Sequence, residues 1–137
     1  MSPAAERHGS GAPWEERFGY SRAVRAGDRV MVAGTTAAGP DGAVAGLGDP
    51  GAQARVALER IVAALESAGA GVADVVRTRM YVTDAAYADA VGLAHAETFG
   101  AAPPAATMVV VSALLDPRLL VEIEAEAIVG AGGPGAG

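Results

Sequence analysis

Apolar residues recur along the chain with two periods, and each change of period marks an element. Residues 20–26 and 29–34 are short β-like runs on either side of Gly27-Asp28, and a dipeptide of this kind turns a hairpin. Residues 35–48 are rich in glycine and read as loop, with a short strand near Val44. Asp49-Pro50 then opens a helix, the carboxylate as cap and the proline in the first turn, where its missing N–H costs nothing. Leu58, Ile61, Val62 and Leu65 follow at i, i+3, i+4 and i+7 as one apolar stripe, and Gly69 ends the helix. From 75 to 83 the period falls to two: Val76, Thr78, Met80 and Val82 share one face of a strand, and Arg77, Arg79 and Tyr81 share the other. Asp84 caps a second helix striped by Tyr87, Ala90, Val91, Ala94 and Thr98, which stops at Phe99-Gly100. Beyond Pro103-Pro104, residues 107–112 read as a buried strand and Asp116-Pro117 as a turn or a single helical turn. Residues 120–129 alternate again, with Val121, Ile123, Ala125, Ala127 and Val129 on one face and Glu122, Glu124 and Glu126 on the other.

The order β-β-(β)-α-β-α-β-β predicts an α+β fold with one mixed sheet, and two helices cover only one face of it. The other face mixes Arg77, Arg79, Tyr81 and three Glu with apolar residues, so packing on copies of the same chain in a symmetric oligomer is expected. Residues 18–129 form the one domain. Residues 1–17, small and polar for most of their length, and the Gly-rich 130–137 read as mobile ends, with Glu15-Glu16-Arg17 as a solvated run.

Composition narrows the chemistry. The 137 residues carry a formal net charge of −6, and an acidic chain repels phosphate backbones, so nucleic acid is not an expected ligand. The absence of Cys excludes disulfides and thiol catalysis, and the absence of Lys excludes lysine Schiff bases and a P-loop lysine. His8 and His95 are the only histidines, which leaves little for a zinc site, so no metal is expected. No apolar run approaches the ~20 residues of a membrane helix, and the N-terminus has no signal-peptide pattern. A cytoplasmic protein acting without a membrane is the expectation.

Four stretches, in this order and spacing, resemble the Rid (YjgF-type) family of reactive-intermediate deaminases over nearly all of residues 18–129. Gly19-Tyr20-Ser21-Arg22-Ala23-Val24 resembles the family's G-P-Y-S-Q-A-V entry strand, and Val32-Ala33-Gly34-Thr35 its S-G-Q segment. Residues 75–84 resemble V-x-x-x-x-V-Y-L-T-D. Pro104-Ala105-Ala106-Thr107 with Val121-Glu122-Ile123-Glu124-Ala125 resembles the pair P-A-R-S/T and I-E-I-E-A. The resemblance implies a chorismate-mutase-like fold and a homotrimer with small-molecule clefts between subunits. It also implies cofactor-free hydrolysis of imines and enamines released by pyridoxal-phosphate enzymes, to a 2-keto acid and ammonia. In that chemistry an Arg grips the substrate carboxylate and a Glu positions or activates water.

Carried over residue by residue, Glu122 falls on the family's catalytic Glu, and Tyr20, Gly34 and Thr107 fall on cleft positions. The carboxylate-binding Arg is replaced by Ala106, an Asn on the second helix by Gly92, and a Glu by Val110. Loss of a buried bidentate Arg contact costs on the order of 2–5 kcal/mol, so the standard amino-acid imine is not the expected substrate. Three further candidates each admit two readings. His95 is a structural histidine at a helix or subunit boundary, or a cleft acid/base group near Glu122. Arg77 and Arg79 pair with the Glu residues at an interface, or one of them replaces the missing anchor. Trp14 caps the core edge or walls the substrate site. The leading reading is an enzyme acting on a small imine, enamine or related carbonyl compound. The alternatives are a non-catalytic trimer that binds a small ligand or partner, and an endoribonuclease.

Overall fold

The hydrophobic pattern becomes a six-stranded sheet in the computed structural model, which describes residues 4–134; residues 1–3 and 135–137, the extremes of the two segments expected to be mobile, lie outside the described residues. The strands are β1 (Glu6–His8), β2 (Ala23–Ala26), β3 (Arg29–Thr35), β4 (Val75–Val82), β5 (Ala105–Val110) and β6 (Val121–Ile128). The helices are α1 (Pro13–Phe18), α2 (Pro50–Ser67) and α3 (Ala88–Phe99). The strand order is β1-β2-β3-β6-β4-β5, with every neighbouring pair antiparallel except β4 and β5. Helices α2 and α3 pack on each other, and α2 lies across β3 and β6.

The periodicities account for most of this. Gly27-Asp28 turns the β2–β3 hairpin, with Ala26 opposite Arg29 and Gly27 at φ 61°. The Asp49 carboxylate accepts the Ala52 N–H at 3.0 Å, and Gly69 leaves α2 at φ 84°, a backbone geometry that favours glycine. Leu58, Ile61 and Leu65 are buried to 1% exposure or less, while Val62 is only half-buried at the edge of the stripe. From α3 the fully buried residues are Val91, Ala94 and Phe99. They meet Val30 and Val32 of β3, Met80 and Val82 of β4, and Val121, Ile123, Ala125 and Ala127 of β6.

Five features depart from the sequence reading, the first being β1, a strand paired with β2 where no element is predicted. A third helix, α1, sits where no element is predicted. Pro13 lies in its first turn, and Gly19 at φ 74° ends it with an N–H to the Glu15 carbonyl, so its signals are terminal residues rather than a stripe. Val76 does not share a face with Thr78, Met80 and Val82: a register shift between Val75 and Arg77 buries Val75 and exposes Val76. The 107–112 run is not a buried strand, because β5 is the sheet's edge and exposes Val109 and Val110. Finally, the start of the Gly-rich tail is tied down: the N–H groups of Gly130 and Gly132 both donate to the Asp74 carboxylate, at 3.1 and 3.0 Å. Asp74 also accepts the Gly71 N–H at 2.9 Å, and these backbone donors hold its carboxyl below the ordinary aspartate value.

Candidate functional site

A cleft of about 700 Å³ opens where α1, the end of β3 with the loop that follows it, the α2 surface and the segment before β6 converge. Its central carboxylate is Glu122. The alternation of β6 turns this side chain out of the core that α2 and α3 cover, since Val121 and Ile123 on either side are fully buried there. On the neighbouring strand, β3 slips register against β6 between Val32 and Thr35, and Gly34 sits in that irregularity. A Cβ on Gly34 would stand 2.1 Å from Glu122 Oε2, so the carboxylate occupies the space that any other residue would fill. Burial pushes the Glu122 carboxyl above the usual glutamate value; the Arg22 charge opposes that shift and the Glu124 charge adds to it.

Arg22 is the cation beside Glu122. Its Nη1 donates to the Gly34 carbonyl and to the Thr35 hydroxyl, both at 2.8 Å, and its Nη2 reaches the Tyr20 hydroxyl at 3.4 Å. Its Nε faces the Glu15 carboxylate at 3.4 Å, and the two side chains are only 12% and 8% exposed. Glu15 also accepts the Ser10 N–H at 3.0 Å and the Ser10 hydroxyl. Burial alone would raise the Glu15 carboxyl, but Ser10 and Arg22 together bring it below its ordinary value. The loops of the cleft are held from α2. Arg60 Nη1 donates to the carbonyls of Thr36 and Ala38. The fully buried Gln53 donates to the Gly46 and Arg118 carbonyls and accepts the Leu120 N–H.

Of the residues singled out from the sequence, the cleft gathers Glu122, Tyr20, Gly34 and Trp14. The others lie elsewhere on the chain. Arg77 donates to the Thr107 hydroxyl at 2.7 Å, and Arg79 lies 3.9 and 3.5 Å from the carboxylates of Glu124 and Glu126, on the open face of the sheet. Ala106 is exposed on β5, opposite Thr78. His95 belongs to the helix layer: its Nε2 shares a hydrogen bond of 2.8 Å with the buried Thr78 hydroxyl and its ring rests 4.7 Å from Phe99. Within one chain the sheet therefore separates His95 from Glu122, and burial favours its neutral form.

The sequence reading missed Arg22 and Glu15 as site residues. Glu15 is not part of a solvated run, being 7% exposed. Its one sequence signal is position: the Pro13-to-Gly19 helix is too short for a stripe, and its buried side is polar. Among the described residues no group of three or more His, Asp or Glu is placed to hold a metal ion, and no helix is long and apolar enough to cross a membrane.

Comparison with known proteins adds to this geometry. A family model described as Endoribonuclease L-PSP matches residues 12–129. An uncharacterized protein of Streptomyces coelicolor is 48% identical over 130 residues, covering 95% of this chain and 96% of the relative. The crystal structure of a Mycobacterium tuberculosis protein, described as a member of the highly conserved YjgF/YER057c/UK114 family, superposes with a TM-score of 0.83 at 51% identity, over 92% of this chain and 100% of that one. A Yersinia pestis protein described as belonging to the conserved Rid protein family superposes with a TM-score of 0.79 at 28% identity, over 92% and 100% of the two chains.

Proposed function

Since the chain belongs to the Endoribonuclease L-PSP family, the YjgF/YER057c/UK114 or Rid proteins, we propose that it is a cofactor-free enzyme hydrolysing a small imine or enamine, or acting on a related carbonyl compound, in the Glu122 cleft. The observation that carries this reading is a half-buried carboxylate, raised in pKa, aimed into a cleft with an arginine beside it. Such a group exchanges protons nearer neutrality than a solvated glutamate does.

In the proposed reaction Glu122 takes a proton from a water molecule as that water attacks the imine carbon. The C=N bond becomes a C–N single bond in a tetrahedral carbinolamine. Glu122 returns that proton to nitrogen, giving the amino alcohol; it then takes the carbinolamine's hydroxyl proton and delivers it to the amine as the C=O bond forms and the C–N bond breaks, so that ammonia leaves and imine plus water gives carbonyl compound plus ammonia. Tyr20, which lines the cleft, is available to orient the substrate. Ala106 brings no charge to the family's carboxylate position, which supports a substrate other than the standard amino-acid imine.

The test is ammonia release from a panel of freshly generated imines, with and without an acid group, each corrected for the uncatalysed rate. Catalysis of a member other than 2-aminoacrylate is expected. Binding to the cleft with no acceleration of any member would favour a ligand-binding protein instead. The open sheet face, where Arg79 meets Glu124 and Glu126 and where Val76, Met31 and Ile128 are exposed, supports a homotrimer. Light scattering at micromolar concentration should give the mass of three chains; a monomer mass would contradict it.

A further inference from the structure

The least expected object in the molecule is a buried ion pair that itself lines no catalytic position carried over from the family: Glu15 from α1 and Arg22 from the approach to β2. A buried pair is costly unless its remaining hydrogen-bond capacity is used. Here it is used almost completely, and in one direction. Ser10 satisfies Glu15 from behind, and Arg22 spends its Nη1 on the Gly34 carbonyl and on the hydroxyl of the next residue, Thr35. The Thr35 hydroxyl in turn donates to the Ala33 carbonyl at 2.7 Å, which closes the irregular end of β3 into a rigid unit. Gly34 is the residue on whose missing side chain the Glu122 carboxylate sits. With four of its five N–H groups engaged inside the protein, Arg22 is better suited to hold the cleft wall than to grip a substrate in a two-pronged pair.

We propose that the Glu15–Arg22 pair is the positioning device of this cleft, with Arg22 holding the Gly34–Thr35 backbone against the Glu122 carboxyl and Glu15 holding Arg22. Arg22 is then a positioning residue, not a catalytic one. The pair matters to turnover only if Glu122 is the acid/base group, as proposed above. It also makes α1, a helix without an apolar stripe, a part of the site: its buried side carries the carboxylate that orients the arginine.

The arrangement has an electrostatic consequence with a sign. Glu122 faces the Arg22 charge from the approach to β2, Glu124 along its own strand, and Tyr81 opposite on β4, while His8, Arg60 and Asp116 line the same cleft. Removing the Arg22 charge removes an attraction that favours the Glu122 carboxylate. Removing the Glu15 charge instead unmasks Arg22, which stays held by Gly34, Thr35 and Tyr20.

The experiment is a carbon-13 carboxyl titration of Glu122 in the full-length assembled protein without substrate, with turnover measured in parallel. R22Q should move the Glu122 midpoint up and E15Q should move it down. R22K keeps the charge but cannot bridge Gly34, Thr35 and Glu15 at once, so its midpoint should stay nearer the parent's than that of R22Q while turnover falls about 10²-fold. An unmoved midpoint in R22Q, or shifts of the same sign in R22Q and E15Q, would overturn the proposal. Should R22Q not fold, E15Q decides alone: a lower midpoint supports the pair, and an unmoved or higher one overturns it. The midpoints are read without turnover, so failure of the positioning pair and failure of the Glu122 chemistry give different results.

Discussion

Glu122→Gln should fold and assemble as the parent chain does and lose turnover by about two to four orders of magnitude, the usual worth of a positioned acid/base group. The amide matches the shape of a protonated glutamate and cannot take a proton from water. The stability side has a definite sign. An acid whose folded-state pKa is raised by burial favours folding when protonated and opposes it when ionised. At neutral pH the parent therefore bears the cost of a partly buried charge, and the variant does not. Its melting temperature at pH 7 should match the parent's or exceed it. Turnover at the parent rate would show that Glu122 does no chemistry. Loss of the assembly would make it an interface residue.

Gly34→Ala tests the same carboxylate from the neighbouring strand. The new methyl would lie 2.1 Å from Oε2, 3.1 Å from the carboxyl carbon and 3.4 Å from Cγ of Glu122. Only the far end of a flexible side chain stands in the way, so the fold gives easily and the carboxylate has to swing aside. Gly34 has no left-handed φ, so the substitution adds no backbone strain of that kind. A displacement of about 1 Å at a reacting group costs on the order of 10²-fold in rate, and that loss is expected here with a nearly unchanged melting curve. A variant that melts early, or one that turns over at the parent rate, would show that the close approach of Gly34 and Glu122 is not part of the site.

These expectations rest on elements that were unequally legible in the sequence. Strict periods did the most: the 58-61-65 positions of α2 and the alternation from Val121 to Ala127 reach the core as read, because burial on one face demands that spacing. Terminal signals were equally readable where side-chain chemistry fixes the backbone, as at Asp49 and Gly69. The reading failed where a local device overrides the period. The register shift beside Val76 exchanges one valine for its neighbour, and nothing in a run of two valines says which will be buried. It also failed on β5, whose apolar sequence suggests burial although a single chain leaves it at the sheet's edge. At the site, Glu122, Tyr20 and Gly34 could be named because they sit inside motifs. Glu15 lies outside every motif, and Arg22, although inside the Gly19-to-Val24 stretch, stands where the family pattern has Gln; their partnership joins a six-residue helix to a strand entry through contacts that no spacing rule describes.

The measurement that bears most directly on the central claim is the pH dependence of turnover in the parent chain and in Glu122→Gln, on the best substrate of the imine panel and with the uncatalysed rate subtracted. Glu122 acting as a base works only when ionised, so the parent rate should be full above its midpoint and fall as the pH drops through it. That midpoint should lie above the 4.5 of an ordinary glutamate, because burial has raised it. Glu122→Gln should show no such limb in whatever rate remains. A parent profile that is flat through this range, or an acid limb that survives unchanged in Glu122→Gln, would contradict the assignment of Glu122 as the acid/base group of the cleft.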